Sequence, residues 1–465
     1  MKLLILAILL AACGGDSTMT VEQLQDPATC KTCHPKHYQQ WASSMHAYAS
    51  NDPVFLALNK RGQRETSNAL GTFCVKCHAP MAVQLGLTDG ITFDPTTLPD
   101  SAKGVTCYFC HNVKDVTDTH NNPLELAMDT TMRGGAKSPA ANTAHHGVYD
   151  ATMDSDINDS KTCGACHDIV NQQNVALERT YAEWQTTFFS TPDDPLHHLS
   201  CGGCHMRSSK DVIADDPAAN VTSRDGGFHQ HQWQAIDTAL IPWPDQDQLA
   251  TQIKGDLDGA ITILGPKPLT GPAPGGICLL PNGTITVRMD TIGTGHAWPS
   301  GASQDRRAWL EVIAYDATGA QLKSWGVTAD GTDPVELPDN TIPNMTFWDR
   351  TFTDTAKTTP AHFFWDVAAE TTALLRPPVT IDPNSPLFDH STTATIPFAG
   401  ATSGIDKIDA RIRLRPFPFE MLDLLIASGD LDPALRAKVP TLDIAGSKRE
   451  WTRASEDPTT HCNRF

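Results

Sequence analysis

Five times in its first half the chain places two cysteines three positions apart with a histidine directly after the second. They are CKTCH (Cys30, Cys33, His34), CVKCH (Cys74, Cys77, His78), CYFCH (Cys107, Cys110, His111), CGACH (Cys163, Cys166, His167) and CGGCH (Cys201, Cys204, His205). A lone pair of thiols at this spacing suits a disulfide corner or half a zinc site, but tetrahedral zinc needs a second pair of ligands. A histidine following at once is what covalent haem attachment requires. The two thiols add to the two vinyl groups of one porphyrin, and the adjacent imidazole is then held beneath the ring as the proximal iron ligand. Five copies predict five haem c groups, with His34, His78, His111, His167 and His205 on the proximal side.

Five irons need five more axial ligands if all are six-coordinate, and 13 of the 18 histidines remain. His46 in YQQWASSMHA, the pair His145 and His146 in ANTAHHGV, the pair His229 and His231 in GGFHQHQW, and His296 in GTGHAWPSG are best placed. His120, His197 and His198 compete for the remaining iron, and His37, His362, His390 and His461 read as surface or hydrogen-bonded side chains. Imidazole on both faces would keep potentials below those of a His/Met pair and leave no open coordination position. That predicts an electron carrier. Met81 and Met206 lie so near proximal histidines that they read as packing. The alternative is an oxidoreductase with one five-coordinate haem acting on a small nitrogen or sulfur compound. Arg64, Lys114, Arg133, Arg179 and Tyr181 could line such a pocket, although charges near haems usually neutralise propionates.

A formal charge of -19 over 465 residues argues against a nucleic-acid partner and, by charge complementarity, favours basic redox partners such as other cytochromes. The opening MKLLILAILLAACGGDS has the anatomy of an export signal, residues 1–12, and is too short to span a bilayer as a mature helix. Its Leu-Ala-Ala-Cys resembles a bacterial lipobox. That resemblance implies lipidation of Cys13, with Gly14 after it favouring onward sorting, and so an exported lipoprotein anchored in the outer membrane. Ten of 13 cysteines belong to the haem motifs and one to the lipobox. Cys278 and Cys462 remain, either as a disulfide or as two free thiols.

These chemical residues need elements to position them. A tether over 13–27 leads to a five-haem domain over 28–235, mainly α-helical and irregular, where the porphyrins supply much of the core. Helices are predicted over His37–Ala49 and Leu177–Phe189, both without Pro or Gly. Residues 236–260 read as a linker, inside a stretch rich in Pro, Gly and Asp. From 261 to 417 alternating segments such as GTITVRMDTIG and DKIDARIRLRPF predict an all-β, sandwich-like domain, and 418–465 a short helical tail. DSDIND at 154–159 begins like a calcium loop but lacks the glycine and glutamate such a loop needs.

The segments CKTCH...YQQWASSMHA, GVTCYFCHNV, CGACHDI...LERTYAEWQTT and CGGCHM resemble multihaem cytochromes of the c-552/4 type, relatives of hydroxylamine oxidoreductase and pentahaem nitrite reductase. The resemblance covers roughly residues 28–233 and implies closely packed haems. GTGHAWPSGASQDRRAWLEVIAYDATG resembles a segment that follows the haem region in many members, which implies that His296 ligates a haem. The departures matter. No Cys-x-x-Cys-Lys occurs, five motifs are not eight, and residues 193–198 differ from the shorter run of relatives, so neither enzyme's active site carries over.

Overall fold

The computed structural model describes residues 19–136, 145–153, 160–191, 198–215, 224–264, 276–291, 293–330, 346–348, 350–354, 361–398 and 402–464. Cys13, His197 and the Asp154–Asp159 stretch, read above for lipidation, iron and calcium, lie outside them. The chain divides into two compact units, each discontinuous in sequence. One comprises Met1–Cys166, Pro192–Gln234 and Ile241–Leu249, the other His167–Thr191, Ala235–Leu240 and Ala250–Phe465. This division is more interleaved than sequence boundaries at 235 and 261.

The first unit is built from short helices, most of them started by local chemistry. Asp26 accepts a hydrogen bond from the Ala28 amide before the helix Pro27–Lys31, and Asp52 does the same for Val54 before Pro53–Glu65. Both helices carry proline at their first position, where its missing N–H costs nothing. The helix predicted over His37–Ala49 is two helices, Pro35–Ser43 and Met45–Tyr48. Ser44 is extended between them, and its hydroxyl accepts from the Ala47 amide, so a serine that can cap outcompetes continuation of the helix. Phe55, Val75, Met81, Tyr108 and Phe109 are buried in one apolar cluster, which agrees with the packing role read for Met81. Two-stranded ladders complete the unit, among them Thr131–Gly134 with His146–Tyr149 and Ser208–Asp211 with Arg224–His229.

The second unit is β-rich. We number its main strands β1 (Thr262–Ile263), β2 (Ile277–Leu279), β3 (Thr284–Asp290), β4 (Arg307–Tyr315), β5 (Gln321–Trp325), β6 (Thr346–Trp348), β7 (Thr392–Pro397), β8 (Lys407–Arg415) and β9 (Leu442–Thr452). One antiparallel sheet runs β2-β3-β7 with β1 also on β3, and the other runs β5-β4-β8-β9 with β6 also on β4. Burial alternates strictly along β3, the mark of a strand with one face in a core. Trp309, Trp325 and Trp451 are among the largest fully buried side chains. Cys278 on β2 is joined to Cys462 by a disulfide.

Three sequence expectations need correction. The 236–260 linker contains a helix, Gln246–Ala260, which buries Leu249, Ile253 and Leu257 at i, i+4, i+8 spacing. Gly255 and Gly259 within it disguised the pattern. Among the described residues of the 418–465 tail, helix is confined to Phe419–Ala427 and to 3-10 turns at Pro433–Lys438 and Arg453–Ser455, and β9 pairs with β8. The sheet partner decides the conformation of that segment. The helix expected over Leu177–Phe189 shrinks to Thr180–Gln185, because Leu177 belongs to a hairpin strand, Ala176–Glu178, paired with Ile169–Val170.

Candidate haem-binding centres

Each attachment motif forms or borders a single helical turn. Cys107–His111 and Cys201–His205 are helices whose preceding hydroxyls act as caps, Thr106 accepting from Phe109 N and Ser200 from Gly203 N. Val75–His78 and Lys161–Gly164 carry the second and fourth motifs, and Pro27–Lys31 leads into the first. In the first motif the His34 amide donates to the Cys30 carbonyl at 2.8 Å. Such a turn sets first cysteine, second cysteine and histidine at i, i+3 and i+4, on one side of the chain, as attachment to a single flat ring needs.

Four of the five motif histidines share a second feature. His34 Nδ1 lies 2.8 Å from the Ile213 carbonyl, His78 Nδ1 3.2 Å from Ala49, His111 Nδ1 2.6 Å from Arg133 and His205 Nδ1 2.9 Å from Gln234. A carbonyl oxygen only accepts, so Nδ1 carries the proton and the lone pair resides on Nε2, the tautomer that a metal-binding imidazole uses. His229, His231 and His296 are fixed the same way, by Met206 at 3.0 Å, His229 at 2.8 Å and Ala297 at 2.8 Å. His390 and His461 instead engage carboxylates, Asp290 and Glu456.

Pairs of imidazoles then face each other. The rings of His111 and His231 have centroids 6.2 Å apart and planes 19° apart, and those of His34 and His145 are 6.4 Å and 36° apart. Two metal–nitrogen bonds of about 2 Å, each with the roughly 1 Å from nitrogen to ring centre, put trans imidazoles about 6 Å apart. The centroid spacing of each pair matches that of two imidazoles on opposite sides of one metal ion. Burial first, then the nearby His111, pushes the His231 pKa down to about 3, so this imidazole is neutral and can donate its lone pair. In the second unit desolvation lowers the His167 pKa, and the charge of His296 lowers it further, which places the two histidines within electrostatic reach. His46 lies against Trp233, His146 is exposed on its strand, and His120 sits in a turn with Thr119 and Asp118.

The thiols of different motifs also meet. Cys30 and Cys107 are in side-chain contact, as are Cys77 and Cys166, and Cys163 and Cys201. Burial pushes the Cys74 thiol up to about 12 and the Cys110 thiol to about 11. Nine of the ten motif cysteines are free thiols, and Cys33 is disulfide-bonded. Sequence reading passed over two residues here. His37 packs on Phe228 at 4.3 Å and on His231 at 4.7 Å, and Trp233 touches two candidate ligands. The alternating FHQHQWQ was the available signal for Trp233.

Among known proteins, a family profile described as "Cytochrome c554 and c-prime" matches residues 29–112. The chain is similar in fold to a penta-heme cytochrome c552 from Thermochromatium tepidum, with a TM-score of 0.58 and 17% identity over 93% of this chain and 100% of that one. No curated protein matches it. Over residues 29–112 the chain thus resembles this cytochrome family, in its fold it resembles a penta-heme cytochrome, and its five attachment motifs suit haem c.

Proposed function

We propose that this chain is a five-haem electron carrier in which most irons have histidine on both faces. The carrying observation is the near-parallel opposition of His111 and His231 at a spacing that fits one iron. By the same reasoning His145 opposes His34, and His296 serves the haem of His167. His46, His229, His120, His146 and His198 supply the candidates for the haems of His78 and His205. Bound haem iron supplies the one-electron chemistry. The chain holds the imidazoles in the metal-binding tautomer, crowds the attachment cysteines together so that carriers lie close, and fills the coordination positions where substrate would bind.

Covalent attachment at the first motif uses Cys30 and Cys33 as the two thioether sulfurs. The N-terminal 13 residues support export, lipidation at Cys13 and anchoring in the outer membrane, with other cytochromes as redox partners. The test is intact mass together with electron paramagnetic resonance of the fully oxidised protein. Five haems, a diacylglyceryl-modified Cys13 and only low-spin signals are expected. A high-spin signal from the wild type would replace the carrier reading with an oxidoreductase, and a mass with fewer haems would overturn the count.

A further inference from the structure

The segment following strand Arg224–His229 runs through the ligand-bearing region as an extended strap. The His229 ring is fixed by the Met206 carbonyl, the His231 amide donates to Gln40 Oε1 at 2.9 Å, and the Gln234 carbonyl accepts from His205 at 2.9 Å. Gln232 and Gln234 are 4% and 9% exposed, so the strap is anchored on both sides of the residue between them. That residue, Trp233, has φ of 47°, in the left-handed region. For a bulky aromatic this backbone is unfavourable and persists only where surrounding contacts impose it.

The ring of Trp233 meets two imidazoles. The Trp233 ring meets His231 edge-to-face at 5.1 Å and 70°, and meets His46 edge-to-face at 4.7 Å and 77°. Edge-to-face packing sets the positive rim of one ring against the negative face of another and favours one mutual orientation. One indole thereby restrains the rotation of two imidazoles that come from separate parts of the chain.

We propose that Trp233 is a positioning residue that fixes the ring planes of two axial ligands, His231 and His46, and so couples the electronic settings of two haems. This rests on the reading of both histidines as axial ligands. The orientation of an axial imidazole about its iron–nitrogen bond sets the splitting of the iron d orbitals, so a shared clamp predicts that both haems respond together when it is removed.

The experiment compares oxidised holoprotein of the wild type, H231A, H46A, W233G, W233N and W233F by electron paramagnetic resonance, with haem count by mass. Glycine and asparagine tolerate the left-handed backbone, so both can be made without added backbone strain, and one can stand in if the other misfolds. H231A and H46A should each turn one of the five haems high-spin. W233G and W233N should keep five haems, shift the g-values of those same two low-spin signals and leave the other three in place, and W233F should restore wild-type positions. If the histidine variants act as stated but W233G or W233N leaves every g-value unchanged, the clamp is overturned while the ligand reading stands. If neither histidine variant yields a high-spin haem, the ligand reading fails and takes the clamp with it.

Discussion

His111 and His231, 120 residues apart in sequence, present nearly parallel imidazoles whose centroids lie 6.2 Å apart. Chain connectivity does not impose this. It follows from two separate Nδ1 hydrogen bonds, one to the Arg133 carbonyl and one to the His229 carbonyl.

The first prediction concerns the analogous pair, His34 and His145. H145A should leave haem attachment intact and convert one haem to a high-spin, five-coordinate form. Added imidazole should restore the low-spin signal. An unchanged spectrum in H145A would remove His145 from the ligand set.

Gly104 occupies a backbone position with φ of +61°, and a Cβ there would lie 2.5 Å from the His46 carbonyl and 2.6 Å from that of Ala47. Those oxygens belong to main chain and cannot swing aside. G104A should therefore destabilise the first unit by about 1–3 kcal/mol or more and disturb the His46 segment. Thermal unfolding of holoprotein is the check, and a melting temperature equal to that of the wild type would contradict it.

Arg350 ties together the segment that presents His296. It donates to the Leu177 carbonyl at 2.8 Å and pairs with Glu183 at 2.9 Å, while Ser300, four residues beyond His296, donates to the other Glu183 oxygen at 2.7 Å. Both partners are largely buried, so R350M leaves an uncompensated carboxylate and should cost about 3–5 kcal/mol. The double variant R350M/E183Q should recover part of that loss. Chemical denaturation of the four members of this cycle measures the coupling.

His390 gives a pH signature. Burial alone would lower its pKa, but the hydrogen bond and charge of Asp290 outweigh burial and raise it. The protonated form is therefore favoured in the folded chain. The stabilisation is fully present below the ordinary histidine value near 6.5 and is lost as pH rises through the raised folded value. Denaturation midpoints of wild type and H390N should thus differ more at pH 5.5 than at pH 9. Equal differences at the two values would refute the assignment.

Which parts of this architecture were readable beforehand follows from the range of the interactions involved. The five motifs are local chemistry, complete within five residues, and needed no fold to be recognised. The two sheets were visible through alternation of the kind seen in Thr284–Asp290. Leu442–Thr452 was not, because its partner, Lys407–Arg415, lies on the far side of an intervening helix. Ser44 ended a helix through a single hydroxyl, which composition alone does not reveal. Distal histidines were nameable but not assignable, since opposition of His34 and His145 is a property of folded geometry. Trp233 escaped notice because the alternation of FHQHQWQ points to it without showing which rings it meets in the fold.

The acceptors that hold four of the five motif imidazoles are the carbonyls of Ile213, Ala49, Arg133 and Gln234. These are pieces of the polymer and not side chains, so no single substitution deletes one. A carboxylate acceptor would give the ligand imidazolate character and make its donor strength titratable, whereas an amide carbonyl has no proton to gain or lose near neutrality. The reference against which each iron is set is in that sense written into the path of the backbone. Point mutations can retune it only indirectly, and insertions, deletions or altered turns are the changes through which descendants of this chain would acquire new potentials.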